Sequence, residues 1–164
     1  MSGLSAPALL ADHHILDNFQ SGLPTLDDWL VRRARANQIA GASRVFVTCD
    51  ERKVVGYYAL ASSAIACGDA TGRMRRNMPD PIPVVVLARL AVDSAYQGRG
   101  VGQGLVRDAA MRVLAAADEI GIRGLVVHAI SEEAKAFYLN LGLLPSPTND
   151  LTLMIPLGDL KANL

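Results

Sequence analysis

Leu90-Ala91-Val92-Asp93-Ser94-Ala95-Tyr96-Gln97-Gly98-Arg99-Gly100-Val101-Gly102-Gln103-Gly104-Leu105 is the stretch whose reading decides the fold. The apolar residues from Val84 to Val92 read as a buried strand that ends at Asp93. Closely spaced glycines then make a tight loop. From Val101 onward, Leu105, Val106, Ala109, Ala110, Val113 and Leu114 recur at helical spacing, which predicts a helix over 101–120 closed by Gly121. The loop therefore brings unpaired backbone N–H groups to the positive end of a helix, where phosphate binds, and Arg99 adds a cation. Two phosphate motifs are excluded. A P-loop needs Lys followed by Ser or Thr after its last glycine, which is absent here. A dinucleotide fingerprint needs glycine at position 103, which is Gln, and an acid ending a second strand about 20 residues on.

Outward from this core, residues 1–11 read as a loose start or an edge strand. Asp12 is placed to cap a short helix through Phe19, and Ser21 to Pro24 break the chain. Thr25 reads as the cap of a helix to about Ala40, with Leu26, Trp29, Leu30 and Ala34 inward. Arg44–Thr48 and Lys53–Ile65 form a hairpin, and Cys67–Pro83 is a polar, Arg-bearing insert. Beyond the long helix, 124–130 is a strand, Ser131 caps a helix through Leu141, and 151–157 is a last strand. Strands mixed with helices in this order predict an α+β fold, a mixed central sheet with helices on both faces, and one domain over 1–164.

Hydrophobic residues make up 51% and charged residues 20%, which excludes a disordered chain. No apolar run reaches membrane-span length, so no membrane is expected and the location is read as cytoplasmic, with Cys49 and Cys67 reduced. The formal net charge is zero, but of the 16 basic residues only Lys53, Lys135 and Lys161 are lysine. Arginine is the better fork for phosphates.

Gln97-Gly98-Arg99-Gly100-Val101-Gly102 fits Gln/Arg-x-x-Gly-x-Gly/Ala, and the chain resembles the GCN5-related N-acetyltransferases over nearly its whole length. The resemblance implies a splay between two parallel strands, here 84–93 and 124–130, with acetyl-CoA as co-substrate and no metal. It places the coenzyme pyrophosphate on Gln97, Gly98, Arg99, Gly100, Val101 and Gly102. It places the pantetheine arm on the backbone of Leu90, Ala91 and Val92, with the Val92 N–H facing the thioester oxygen. Ser131, Ala134 and Tyr138 stand at i, i+3 and i+7 on one helix face, where the family has Asn, Ala and Tyr. By that correspondence Tyr138 is the acid for the departing thiolate, and Ser131 takes the place of the Asn that contacts pantetheine. No general base stands out. His128 reads as a core residue, and an α-amino acceptor, with a pKa of about 7.7–8.0, is already partly neutral.

A narrower resemblance lies in Ser21-Gly22, Leu26-Asp27-Asp28-Trp29-Leu30, Gly41-Ala42-Ser43-Arg44, Tyr57-Tyr58-Ala59-Leu60-Ala61-Ser62-Ser63 and Arg75-Arg76-Asn77-Met78-Pro79-Asp80-Pro81-Ile82-Pro83. These segments are similar to those of TacT-type toxins, which acetylate the α-amino group of aminoacyl-tRNA and so stop translation. Arg32, Arg35, Arg73, Arg75, Arg76 and Arg89 are then the expected tRNA contacts, since Arg clusters supply much of the affinity for phosphate backbones. The same resemblance implies a ribbon-helix-helix antitoxin, operator DNA bound only through the antitoxin complex, and a homodimer. Two other functions fit the motif: acetylation of a small amine or protein N-terminus, and a non-catalytic acetyl-CoA-binding or co-repressor module.

Overall fold

The computed structural model describes residues 3–163; Met1 and Ser2, which begin the expected loose start, and Leu164 lie outside the described residues. The elements are β1 (Ala8–Leu9), α1 (Pro24–Arg32), α2 (Ala34–Ile39), β2 (Arg44–Asp50), β3 (Lys53–Ile65), α3 (Gly72–Arg75), β4 (Ile82–Val92), α4 (Val101–Ala117), β5 (Gly124–His128), α5 (Glu132–Asn140), β6 (Leu144–Pro145), β7 (Thr152–Pro156) and α6 (Leu157–Ala162). The strands form one seven-stranded sheet in the order β1-β2-β3-β4-β5-β7-β6. β4 and β5 run parallel, with Val85, Val86 and Leu87 opposite Leu125, Val126 and Val127. This is the mixed sheet with flanking helices, α+β in class, that the order of elements predicted. The register with β5 stops at Leu87, while β4 continues to Val92. By contact the chain groups into two compact units: residues up to Ala61 with Ala88–Ala109, and Ser62–Leu87 with the chain from Ala110.

In the first unit, Leu26, Leu30 and Ala34 pack with Val45, Val47, Tyr57, Ala59 and Ala91. The Tyr57 hydroxyl donates to the Leu26 carbonyl at 2.7 Å, so this aromatic meets its polar requirement inside the core. Three sequence expectations fail here. The Asp12–Phe19 helix does not form, because Ile15 lies alongside Lys53: its N–H donates to Arg52 O at 2.8 Å and its carbonyl accepts from Val54 N at 2.9 Å. Thr25 is not a cap; α1 starts on the Leu23 carbonyl with Pro24 in its first turn, where a missing N–H costs nothing. The helix expected through Ala40 is broken at Arg33, whose φ of −123° leaves the helical range.

In the second unit, the polar insert is anchored. Ala70 and Met74 are fully buried among Ile82, Val84, Val126 and Met154. Arg123 donates to the Met74 carbonyl at 3.0 Å and the Arg73 carbonyl at 2.6 Å, satisfying carbonyls that the single turn of α3 leaves open. Helix α6, absent from the sequence reading, follows β7 directly and buries Leu160. A Cβ on Gly124 would meet the Ile155 carbonyl at 2.3 Å and the Met74 Cε at 2.9 Å. Backbone oxygen on the paired strand cannot move aside, so Gly124→Ala is expected to lower the stability measured by urea unfolding by about 1–3 kcal/mol. An unchanged unfolding midpoint would contradict this packing.

Candidate active site

The loop after β4 belongs to the first unit. Asp93, buried, ends the strand: its N–H donates to Val55 O at 2.8 Å, and its carboxylate accepts from Ala95 N at 3.0 Å and Gln20 N at 3.1 Å. A short turn over Ser94–Tyr96 follows. The Tyr96 hydroxyl donates to Asp50 at 2.6 Å, and the Arg99 guanidinium lies 5.3 Å from the centre of the Tyr96 ring. Gly98 and Gly100 take φ of +77° and +80°, the left-handed region that glycine enters at little cost. The first helical hydrogen bond of α4 runs from Gly104 N to Gly100 O, at 3.0 Å. The amides of Val101, Gly102 and Gln103 lie ahead of it and have no partner within the helix. Exposed glycines, free amides at a helix start and a cation stacked alongside suit a pyrophosphate. Leu90 and Val92 are half-buried and Ala91 is in the core, all on the part of β4 past its register with β5.

The cationic residues of this unit differ in availability. Arg32 is exposed at the end of α1. Arg35, on α2, does not share a helix face with it. One Arg35 nitrogen donates to the carbonyls of His14 at 2.6 Å and Ala11 at 3.2 Å, tying down residues 11–14, while Nε is buried with no partner among the described residues. Arg89 is half-buried, its guanidinium 4.5 Å from the centre of the Trp29 ring, and Trp29 stacks on Tyr57.

The second unit holds α5. The Ser131 hydroxyl caps it, accepting from Ala134 N at 3.1 Å, as the sequence reading had it. Tyr138 is buried on that helix. Burial pushes its phenol above the ordinary tyrosine value, so the group stays protonated at neutral pH. Of the chain's 4 tyrosines, Tyr57, Tyr58 and Tyr96 all spend their hydroxyls on protein acceptors, Leu26, Asp108 and Asp50. Among the described residues none accepts from Tyr138, which leaves its proton available. His128 is exposed at the end of β5, not in the core as expected, with Nδ1 3.0 Å from the Thr152 hydroxyl. Arg73 pairs with Asp159 at 2.5 Å and Arg75 donates to Ala70 O at 3.0 Å; Arg76 is exposed beside them.

Residues 41–142 match the acetyltransferase (GNAT) domain family. The chain belongs to the GNAT acetyltransferase family. The acetyltransferase is 53% identical over 162 residues, 99% of this chain and 98% of the relative, to a protein of Mycobacterium tuberculosis named tRNA-acetylating toxin. Among solved structures it is similar to a tyrosine-to-phenylalanine mutant of KacT, with a TM-score of 0.92, 28% identity and coverage of 99% of this chain and 100% of the other. AtaT complexed with acetyl-methionyl-tRNAfMet gives a TM-score of 0.89, 30% identity and coverage of 97% and 98%. Other matching structures hold an AtaT mutant with the C-terminus of the antitoxin AtaR and acetyl-CoA, and a KacTA complex with DNA. The enzyme is an acetyl-CoA-dependent acyltransferase.

The sequence reading missed the anchoring role of Asp93 and the bonds that the Gln97 side chain donates to the Val92 and Ser21 carbonyls. The only signal was an acid at the end of an apolar strand, which is also where turns place Asp. Asp93→Asn keeps the shape but aims an amide N–H at one of two backbone donors. The expected result is a loss of about 1–3 kcal/mol in denaturant unfolding, from a buried donor left unmet. Wild-type stability would show that neither hydrogen bond matters.

Proposed function

We propose that this acetyltransferase transfers the acetyl group of acetyl-CoA to the α-amino group of aminoacyl-tRNA, blocking translation, and that residues 1–164 act as one domain. The observation that carries the reading is the 53% identity, over nearly all of both chains, to a tRNA-acetylating toxin. The solved complexes of AtaT and KacT support a partnership with an antitoxin that brings the pair to DNA. We assign that antitoxin to the ribbon-helix-helix class, with the complex repressing its own operator, and the toxin to a cytoplasmic homodimer. Among the described residues no helix is long and apolar enough to cross a membrane.

In this reading the amides of residues 97–102 hold the coenzyme pyrophosphate and the backbone of Leu90, Ala91 and Val92 holds its pantetheine arm. Ser131 adds its hydroxyl proton, since its oxygen serves as the cap. The coenzyme supplies an acetyl thioester. Tyr138 is the proposed proton donor to the leaving sulfur. A phenol, about 10 and raised further here, is a weaker acid than a thiol, about 8.5, so transfer from Tyr138 alone runs uphill. Turnover then closes only as the acceptor nitrogen, forming its bond to the acetyl carbon, gives up a proton that restores the phenol. A neutral α-amino group, about 7.7–8.0, makes that attack without a strong base. Arg32, Arg73, Arg75, Arg76 and Arg89 are the proposed tRNA contacts; Arg35 contributes by holding residues 11–14 in place.

Tyr138→Phe is expected to retain the fold and acetyl-CoA binding while lowering turnover by about 10²–10⁴-fold, the usual contribution of a positioned acid. Near-wild-type thiol release would move the donor elsewhere. Arg75→Ala with Arg76→Ala should weaken charged-tRNA binding, flatten its salt dependence and leave acetylation of a small amine unchanged. Retained tRNA binding at physiological salt would favour the small-amine reading. Gly100→Glu should abolish acetyl-CoA binding in calorimetry, because φ of +80° strains the new residue and its charge repels phosphate. Unchanged affinity would remove the pyrophosphate from this loop.

A further inference from the structure

The protein uses both donor hydrogens of the Gln97 side-chain amide. Its Nε2 lies 2.8 Å from the Val92 carbonyl and 2.8 Å from the Ser21 carbonyl. An amide nitrogen has two hydrogens, so nothing is left on it for a phosphate. The partner on the far side leads away from the loop. Ser21 donates its N–H to the Asp27 carboxylate at 3.1 Å and its hydroxyl at 2.6 Å, and Asp27 stands in the first turn of α1. The neighbouring residue is tied in the same direction: the Gln20 carbonyl accepts from Ser94 N at 2.8 Å and from Ser94 Oγ at 2.9 Å. One route of hydrogen bonds thus runs from the last carbonyl of β4, through Gln97 and Ser21, to the start of α1. That helix carries Trp29, on whose ring Arg89 rests.

We propose that Gln97 is a positioning residue. It does not touch the coenzyme through its side chain; it clamps the coenzyme loop to the start of α1, so that acetyl-CoA on the loop fixes the helix that holds Arg89 for the tRNA. The inference rests on the reading of residues 97–102 as the coenzyme loop. Its chemical requirement is two donors on one planar head. Arginine meets it; leucine, of similar bulk, and glutamate, which would set carboxylate oxygens against two carbonyls, do not.

The test uses the purified full-length chain. In ligand-free protein, Gln97→Leu should raise amide hydrogen exchange over residues 20–27 by roughly tenfold, the effect of losing two hydrogen bonds of ordinary net strength. Gln97→Arg should restore the wild-type rate. Acetyl-CoA should protect residues 20–27 in wild type and fail to do so in Gln97→Leu. With charged tRNA as acceptor, KM should rise severalfold in Gln97→Leu, and by clearly more than any rise in the Kd of acetyl-CoA. Unchanged exchange in the ligand-free variant overturns the clamp. A loss of acetyl-CoA affinity as large as the rise in tRNA KM also overturns it, and makes Gln97 a direct coenzyme ligand. Failure of the underlying loop assignment would show separately, as wild-type acetyl-CoA affinity in Gly100→Glu.

Discussion

β4 outlasts its parallel partner. Its register with β5 ends at Leu87, yet the strand stays extended to Val92, and the chain then has to turn sharply into α4. Extended backbone at such a point needs hydrogen-bonding partners from elsewhere, because buried peptide groups are costly to leave unmet. The protein meets part of that need with side chains. Asp93 anchors the end of the strand, Gln97 takes the Val92 carbonyl, and both draw in Gln20 and Ser21. What remains on Leu90 to Val92 suits the amide-rich arm of acetyl-CoA. The amides at the start of α4 suit its phosphates. In the proposed function, the coenzyme supplies the remaining partners.

Much of this was legible in the sequence, because the signals were local. Gly98 and Gly100, one residue apart, mark a turn, and the apolar spacing from Val101 onward is helical. Ser131, followed by two acids, announced its own cap. Apart from the Thr25 cap, which its immediate neighbours decide, the failures share a physical cause: each depended on a partner far along the chain. Asp12 and Phe19 look like the bounds of a helix until Ile15 finds β3. Thr25 looks like a cap until Pro24 opens the helix a residue earlier and Asp27 turns back to Ser21. Arg35 looks like a surface cation until its guanidinium is found on the carbonyls of His14 and Ala11. The insert reads as polar because its glycines, prolines and arginines hide Met74, a residue buried as deeply as any in its unit.

For the site, composition said least and context most. A tyrosine at helical spacing from a serine is unremarkable on its own. Tyr138 stands apart because the other three tyrosines each have a protein acceptor and, among the described residues, it has none. Its burial does two opposed things: it keeps the proton in place at neutral pH and weakens the phenol as an acid. That combination fits an acceptor that arrives carrying a proton it must lose, and an α-amino group is such an acceptor.

The most direct measurement is the position of the acetyl group on the product. The enzyme would be incubated with acetyl-CoA and aminoacyl-tRNA, the tRNA digested with nuclease, and the terminal aminoacyl-adenosine analysed by mass spectrometry. The account predicts an N-acetylated amino acid esterified to the terminal adenosine, absent when the tRNA is uncharged. Acetyl groups on a tRNA base, or a tRNA left unmodified while small amines or protein N-termini are acetylated, would contradict it.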